Sequence, residues 1–98
     1  MKLTNNQIFA INTALSDLVN TKLPGRFKFK LYKLKVVVER ALEPVYKSLE
    51  GAEEDEAIEI ANESQEIEVD TLTLDELEPL DLSISQLSAL QPIMEEIK

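Results

Sequence analysis

Residues 26–49, RFKFKLYKLKVVVERALEPVYKSL, decide the fold of this chain of 98 residues. Apolar positions recur there at spacings of three and four residues, which is typical of one face of a long α-helix with a nearly heptad repeat. These positions are Phe27, Leu31, Leu34, Val38, Ala41, Val45 and Leu49. The valine run at 36–38 lowers helix propensity, but the length and periodicity of the segment outweigh it. We predict a long helix over 26–50.

Pro44 lies inside this pattern. A proline in a helix interior lacks the backbone N–H and clashes with the carbonyl four residues earlier, here that of Arg40, at a cost of roughly 3 kcal/mol. We therefore expect the long helix to kink or break near residues 40–44.

The segment before the long helix predicts a second helix. Thr4 and Gln7 have the spacing of a capping box, and Pro24 with Gly25 marks a connection. Between them runs one apolar stripe, formed by Ile8, Ile11, Leu15 and Leu18. We predict a helix over 5–20 that packs on the long helix as an antiparallel hairpin. The end of the long helix near Val45 and Leu49 then needs a cover from the carboxy-terminal half or from a second subunit.

The carboxy-terminal half is less regular. Residues 52–65 are rich in Glu and Ala and favour a helix, although 58–60 also alternates as a strand would. Residues 66–74, EIEVDTLTL, alternate as a half-buried strand, and the short segment 2–4 is a candidate partner for it.

Ser83 and Gln86 form another capping box, which predicts a short helix over 84–96. The chain length suits one small domain over 1–98. The expected fold class is mainly α with a minor β element.

Charge is divided unevenly along the chain, whose net charge is -9. Residues 1–49 carry nine basic and three acidic side chains, and residues 50–98 carry sixteen acidic side chains and one lysine. We call residues 50–70, EGAEEDEAIEIANESQEIEVD, the acidic block; it holds ten acidic residues and no basic one. It either folds back on the lysine-rich helix or on a second subunit and compensates its charge, or it presents a surface to a basic partner.

Composition argues against an enzyme. The sequence contains no histidine and no cysteine, so the most common acid-base side chain is missing and nucleophilic triads of the Ser-His or Cys-His type are excluded. Gly25 and Gly51, the two glycines, stand alone, which excludes a glycine-rich phosphate loop. The acidic block has no glycine placed as an EF-hand calcium loop requires. We expect no catalytic residues, no cofactor and no metal site.

The amino-terminal twenty residues contain five polar interruptions, Asn5, Asn6, Gln7, Asn12 and Asp17, so no signal peptide or membrane span is expected there. A soluble, cytoplasmic protein without a membrane partner is the expectation.

The basic run 26–35, RFKFKLYKLK, interleaves aromatic and basic residues. On a strand it would form a stacking platform for single-stranded nucleic acid. On a helix Phe27 and Leu31 face the core instead, and the acidic half repels phosphate. Nucleic-acid binding through 26–35 is the least favoured function.

Three stretches resemble a family of small proteins of bacteriophages and prophages, a phage domain of unknown function. They are KLTNNQIF at 2–9, KLPGRFKFKLYKLKVVVERALEPVYKSLE at 22–50 and IEVDTLTLDELEPLDLSISQLSALQPIMEE at 67–96. The last contains an LxALxPxxEE ending, formed by Leu87, Ala89, Leu90, Pro92, Glu95 and Glu96. The family has a longer charged middle, so 51–65 resembles a shortened version. The resemblance implies a viral accessory protein in the host cytoplasm and transfers no catalytic or binding residue.

The leading hypothesis is a non-enzymatic phage accessory protein that binds a viral or host protein through amphipathic helices, with a homo-oligomer as a further option. The alternative is an acidic mimic of nucleic acid that inhibits a host defence nuclease, of the anti-restriction or anti-CRISPR type. The candidate partner-binding residues are Glu53, Glu54, Asp55, Glu56, Glu59, Val45 and Leu49.

Overall fold

The computed structural model of the protein describes residues 1–18, 21–23 and 25–95. Within these ranges the fold is mainly α, as the sequence predicts. The elements in chain order are β1 (Lys2–Thr4), α1 (Asn5–Asp17), α2 (Gly25–Leu49), α3 (Glu54–Asn62), β2 (Ser64–Glu66), α4 (Leu74–Leu77), α5 (Ile84–Leu90) and a 3-10 helix (Gln91–Ile93).

Helices α1 and α2 form the predicted antiparallel hairpin. Near the start of α1, the Phe9 ring lies 5.5 Å from the Tyr46 ring between centroids. Further along α1, Lys35 Nζ donates a hydrogen bond to Asn12 Oδ1 at 2.7 Å. Later residues of α1 therefore meet earlier residues of α2. The Thr4 capping box starts α1 as predicted, and α1 ends at Asp17; positions 19 and 20 of the predicted helix lie outside the described residues.

One aliphatic core lies between the hairpin and the carboxy-terminal segments. Its completely buried members come from α1, α2 and the segments after β2; they are Ile8, Ile11, Val38, Leu42, Leu72, Leu77, Leu90 and Ile93. The predicted stripe of α1 is buried throughout. In α2 the core residue beside Val38 is Leu42, while Ala41 is partly buried against the core. The interior face of α2 is therefore wider than the heptad pattern indicated.

Helix α2 is not broken at Pro44. It runs as one helix from Gly25 to Leu49 with the proline inside. Pro44 and Arg40 are both exposed, so water can replace the N–H donor that the proline removes from the Arg40 carbonyl. Of the two expected outcomes, the break is therefore wrong and the kink stays a prediction; the proline lies on the solvent side of the helix, whose other face contacts the core.

The acidic segment divides into a helix and a strand. Helix α3 occupies the middle of the predicted range 52–65, and the backbone becomes extended at Glu63. Strand β2 then pairs antiparallel with β1, with Lys2 opposite Glu66 and Thr4 opposite Ser64.

The predicted pairing of 2–4 with a strand over 66–74 is right only at Glu66, because the strand that pairs with β1 ends there. Ile67 and Leu72 are both buried, at 6% and 0% exposure, yet an odd separation would put them on opposite faces of a strand. The chain therefore bends across the core after β2, and Leu72 forms an isolated parallel bridge with Met94.

A short helix, α4, follows in a stretch for which no helix was predicted. Thr73 Oγ1 accepts a hydrogen bond from the Glu76 N–H, and the Glu76 carboxylate accepts from the Thr73 N–H. Thr73 and Glu76 thus form a capping box.

The predicted helix over 84–96 is shorter in the structure. Its Ser83 capping box is present, but α5 ends at Leu90 and the chain tightens into the 3-10 helix that contains Pro92. The backbone is extended at Met94, and position 96 lies outside the described residues. Proline removes the N–H that would continue the α-helix, and the bridge to Leu72 needs an extended chain at Met94.

Candidate protein-interaction surfaces

The exposed side of α2 is the first candidate surface. With 3.6 residues per turn, side chains three, four and seven positions apart share one side of a helix. Phe29, Tyr32 and Val36 have this spacing and lie opposite the buried residues Leu34 and Val38. We call these three residues, two aromatic and one aliphatic, the aromatic stripe. Phe29 is 61% exposed and Tyr32 is 66% exposed, while Val36 is half-buried.

Charged residues surround the aromatic stripe. Lys33 Nζ lies 5.2 Å from the centre of the Phe29 ring, a distance at which an ammonium is attracted to the face of an aromatic ring. Arg26 and Lys28 are exposed on the same half of the helix. The amino-terminal half of this surface is therefore basic with aromatic groups at its centre.

The carboxy-terminal half of the same side has mixed charge. Val36, Glu39, Arg40, Glu43, Tyr46 and Lys47 line one shallow surface groove there. Lys35 Nζ lies 2.9 Å from Glu39 Oε1, and Lys47 Nζ lies 3.9 Å from Glu43 Oε1. Both pairs are separated by four residues on the same helix; the Lys47 pair is exposed, and exposed pairs of this spacing contribute only about 0.3–0.5 kcal/mol. Glu39 and Glu43 remain open to further contacts because each carboxylate can accept several hydrogen bonds.

The acidic block forms the second candidate surface. Glu53, Glu54, Asp55, Glu56 and Glu59 are all exposed on or just before α3. In the part of the chain that the structure describes, no lysine or arginine side chain lies within ion-pair distance of this block, and its one ion pair joins Glu66 Oε2 to the Met1 amino group at 3.5 Å. The block therefore does not neutralise α2 through direct contacts.

The lysine-rich half of α2 instead meets a carboxylate beyond the acidic block. Lys30 Nζ lies 2.7 Å from Glu76 Oε1, which joins α4 to α2. Burial acts to raise the pKa of Glu76, but hydrogen bonds from Lys30 and Thr73 outweigh it and hold the pKa below its ordinary value. Glu76 is therefore the acidic residue that compensates Lys30.

The predicted partner-binding set is divided by the structure. Its five acidic members are exposed on or just before α3, whereas Val45 is only 6% exposed and Leu49 is partly buried. Helix α3 packs against α2. Val45 is buried within the chain itself, which leaves its side chain little surface to offer a partner, and partner binding through the acidic members and Leu49 stays a prediction.

From the sequence, Phe29 and Tyr32 were interpreted only as stacking groups for nucleic acid. Both residues fall outside the apolar positions that face the core, so the heptad pattern already indicated that they are exposed on α2. Phe27, the third aromatic residue of the basic run, is buried. The three aromatic groups thus do not form one platform.

No group of three or more acidic side chains among the described residues has a geometry that could hold a metal ion. None of the helices within residues 1–18, 21–23 and 25–95 is long and apolar enough to cross a membrane.

Comparison of the chain with protein-family models, with curated proteins and with solved structures finds no match.

Proposed function

We propose that this protein is a non-enzymatic binding protein that acts through protein-protein contacts made by the exposed side of α2. The resemblance to small phage and prophage proteins suggests the setting: an accessory protein in the cytoplasm of an infected host that binds a viral or host protein.

The observation that carries this proposal is the exposure of Phe29 and Tyr32, at 61% and 66%, side by side on a helix whose opposite face is completely engaged in the core. Aromatic side chains are enriched among the residues that contribute most to binding, since each buries a large area at a small cost in conformational entropy. A helix that presents anchors at positions i, i+3 and i+7 is a common form of protein recognition.

The test is a comparison of partner capture by the natural chain and by a double variant, Phe29→Ser with Tyr32→Ser. Proteins retained from phage-infected host cells would be identified, and the affinity of the purified partner would then be measured by calorimetry. We expect the double variant to weaken binding at least tenfold while its far-ultraviolet circular dichroism stays unchanged, because both side chains are exposed. A matched control is Ile84→Ser with Leu74→Ser, which removes two other exposed apolar groups, at 87% and 49% exposure. Equal binding by the natural chain and the Phe29 and Tyr32 variant would contradict the proposal.

A second function, mimicry of nucleic acid, is supported by a different observation. The carboxylates of α3 are exposed and have no lysine or arginine partner among the described residues, so they are free to replace phosphates on the basic groove of a nuclease. In that case binding to the captured partner falls steeply between low and moderate salt and is competed by DNA. Retention that is indifferent to salt and to DNA, but lost with Phe29 and Tyr32, would favour the α2 surface over mimicry.

Direct nucleic-acid binding through 26–35 remains the third and least favoured function. It predicts a gel-mobility shift that charge reversal at Lys28 and Lys33 abolishes. The absence of a shift at low salt would end this hypothesis.

A further inference from the structure

A cavity opens at the end of the hairpin where α1 finishes and α2 begins, with a volume of about 160 Å³. We propose that this cavity binds a small monocarboxylate whose apolar body has about six carbon atoms. The proposal goes beyond the function argued above, because it concerns a small-molecule ligand in a cavity and not a partner protein on the outer side of α2.

The interior of the cavity is apolar. Leu15 and Leu18 of α1 and Leu31 of α2 line it, at 3%, 7% and 7% exposure. Leu23, in the connection between the two helices, also lines it and is half-buried. A cavity of about 150 Å³ with walls of this kind holds a molecule of the size of benzene, which has about six carbon atoms. The cavity therefore suits the hydrocarbon part of a small ligand.

The mouth of the cavity is polar. Thr21, Lys28 and Tyr32 line it and are exposed to solvent, whereas the leucines behind them are covered. Among the described residues, no carboxylate lies within ion-pair distance of Lys28. An ammonium with no acidic partner in this part of the chain therefore stands beside two hydroxyl groups that can donate hydrogen bonds to an anion.

The second lysine of the cavity, Lys35, is already engaged. Its Nζ donates to Asn12 Oδ1 at 2.7 Å and to Ser16 Oγ at 3.0 Å, and it lies 2.9 Å from Glu39 Oε1. An ammonium has three donors, so these acceptors use all of them and Lys35 offers its methylene groups to the wall. Lys28 alone then supplies one positive charge to a ligand, which matches a monocarboxylate better than a phosphate monoester with its charge of about -1.5 to -2.

The charge around the cavity also favours an anion. Residues 18–35 include six basic side chains and no acidic one, and the preceding Asp17 accepts a hydrogen bond from Gln86 of α5. Helix α3 of the acidic block meets the other end of the hairpin, where Asn5 Nδ2 donates to the Ile60 carbonyl. That contact lies about 20 Å along α1 from the cavity, beyond the distance of about 8 Å over which exposed charges act at physiological salt. The cavity mouth is therefore basic although the chain as a whole is acidic.

The site is tested first with hexanoate, by nuclear magnetic resonance titration of the isotope-labelled full chain. We expect saturable shifts of the amide signals that are largest at the residues lining the cavity. Ile84 and Leu74, two exposed apolar residues away from the cavity, serve as internal controls and should not respond. Shifts that fail to saturate, or that are largest at these two residues, would overturn the site.

The carboxylate is tested by comparing hexanoate with hexanol, which has the same hydrocarbon chain and no charge. The natural chain should bind hexanoate at least about threefold more tightly, and Lys28→Gln should abolish this preference by weakening hexanoate alone. Lys33→Gln is the matched control: it removes the same charge from an exposed position of the same helix, but Lys33 does not line the cavity. Equal affinities of the natural chain for hexanoate and hexanol would overturn the assignment of a carboxylate.

The size of the ligand is tested with a series of unbranched acids. Affinity should rise by up to about fourfold for each methylene between butanoate and hexanoate and should level off beyond octanoate, because further carbon atoms extend out of the cavity into water. An unbroken rise as far as dodecanoate would show that the acids associate with an open apolar surface, and it would overturn the enclosed site.

Tyr32 belongs both to the cavity and to the aromatic stripe, whereas Phe29 does not line the cavity. Phe29→Ser should therefore leave hexanoate binding unchanged, and a large loss would contradict the proposed site. The proposed function is judged separately. A chain that captures its partner through the aromatic stripe but binds none of the acids would refute the cavity ligand alone, and a chain that binds hexanoate but keeps its partner without Phe29 and Tyr32 would refute the proposed function alone.

Discussion

Gln65 Nε2 lies 2.8 Å from Asn5 Oδ1, and this hydrogen bond joins β2 to the first turn of α1. The same Gln65 nitrogen donates to the Ala41 carbonyl of α2 at 3.2 Å, and Asn5 Nδ2 donates to the Ile60 carbonyl of α3 at 2.7 Å. Two amide side chains therefore connect four elements around a position where Asn5 is only 5% exposed.

We predict that Gln65→Ala lowers the free energy of unfolding by about 1–3 kcal/mol, because it leaves the buried Asn5 amide without its donor. Urea unfolding followed by circular dichroism measures the change. Gln91→Ala is the matched control, since Gln91 is exposed, and its effect should stay within about 0.5 kcal/mol. Equal stabilities for the two variants would show that the Gln65 hydrogen bonds contribute little.

The capping box of α1 gives a second prediction. The Thr4 hydroxyl accepts a hydrogen bond from the Gln7 N–H at 3.2 Å, and Gln7 Oε1 accepts from the Thr4 N–H at 2.9 Å. Thr4→Ala removes the first of these bonds and should cost about 1 kcal/mol of stability.

Thr13→Ala provides the comparison for this cap. Thr13 lies inside the same helix and bonds back to the Phe9 carbonyl, a contact that adds little to a helix. Because alanine has the higher helix propensity, Thr13→Ala should be neutral or slightly stabilising. A loss at Thr13 as large as that at Thr4 would argue against the cap as the cause.

The ion pair between Lys30 and Glu76 predicts a dependence of stability on pH. The pKa of Glu76 is lower in the folded protein than its ordinary value, so the folded state binds a proton at this site less readily than the unfolded chain does. The stabilisation is therefore complete above the ordinary pKa and is lost as pH falls from there through the lower folded pKa.

We expect Glu76→Gln to reduce the loss of stability over this pH interval, because glutamine keeps an acceptor for the Thr73 N–H but cannot titrate. Unfolding by urea at a series of pH values measures the difference. Glu78→Gln removes a neighbouring carboxylate that is exposed, and its pH profile should follow that of the natural chain. Superimposable profiles for Glu76→Gln and the natural chain would contradict the assignment.

Local patterns in the sequence were sufficient to predict the hairpin. The capping box at Thr4 and the spacing of Ile8, Ile11 and Leu15 each depend on residues within a few turns of one helix, so they fix α1 without knowledge of the rest of the chain. The same holds for α2, where a long apolar period outweighs the valine run and Pro44. The solvent-facing position of that proline depends on packing and was not visible in the propensities.

The carboxy-terminal half was harder to predict because its segments are short and take their structure from the core they cover. The alternation of residues 66–74 suggested a strand, yet Ile67 and Leu72, which would lie on opposite faces of such a strand, are both buried. The Thr73 and Glu76 capping box was a readable signal for α4 that the strand interpretation concealed. The burial of Val45 was not predictable from the sequence, since it depends on how the other segments pack on the end of α2.

The two glycines of the sequence provide the last prediction, because they occupy opposite ends of α2 with different backbone requirements. Gly51 follows the carboxy-terminal end of the helix with φ at +72°, and a Cβ at either glycine would meet nothing within 4 Å. The effect of alanine on stability is therefore decided by the backbone conformation alone.

Gly51→Ala forces an L-residue into the left-handed region and should cost about 1–2 kcal/mol. Gly25→Ala, at a position without positive φ, should stabilise the protein by up to about 1 kcal/mol, because it restricts the unfolded chain. Thermal unfolding of the two variants should move the midpoint in opposite directions, and a shared direction would show that the glycine at 51 is not required by its conformation.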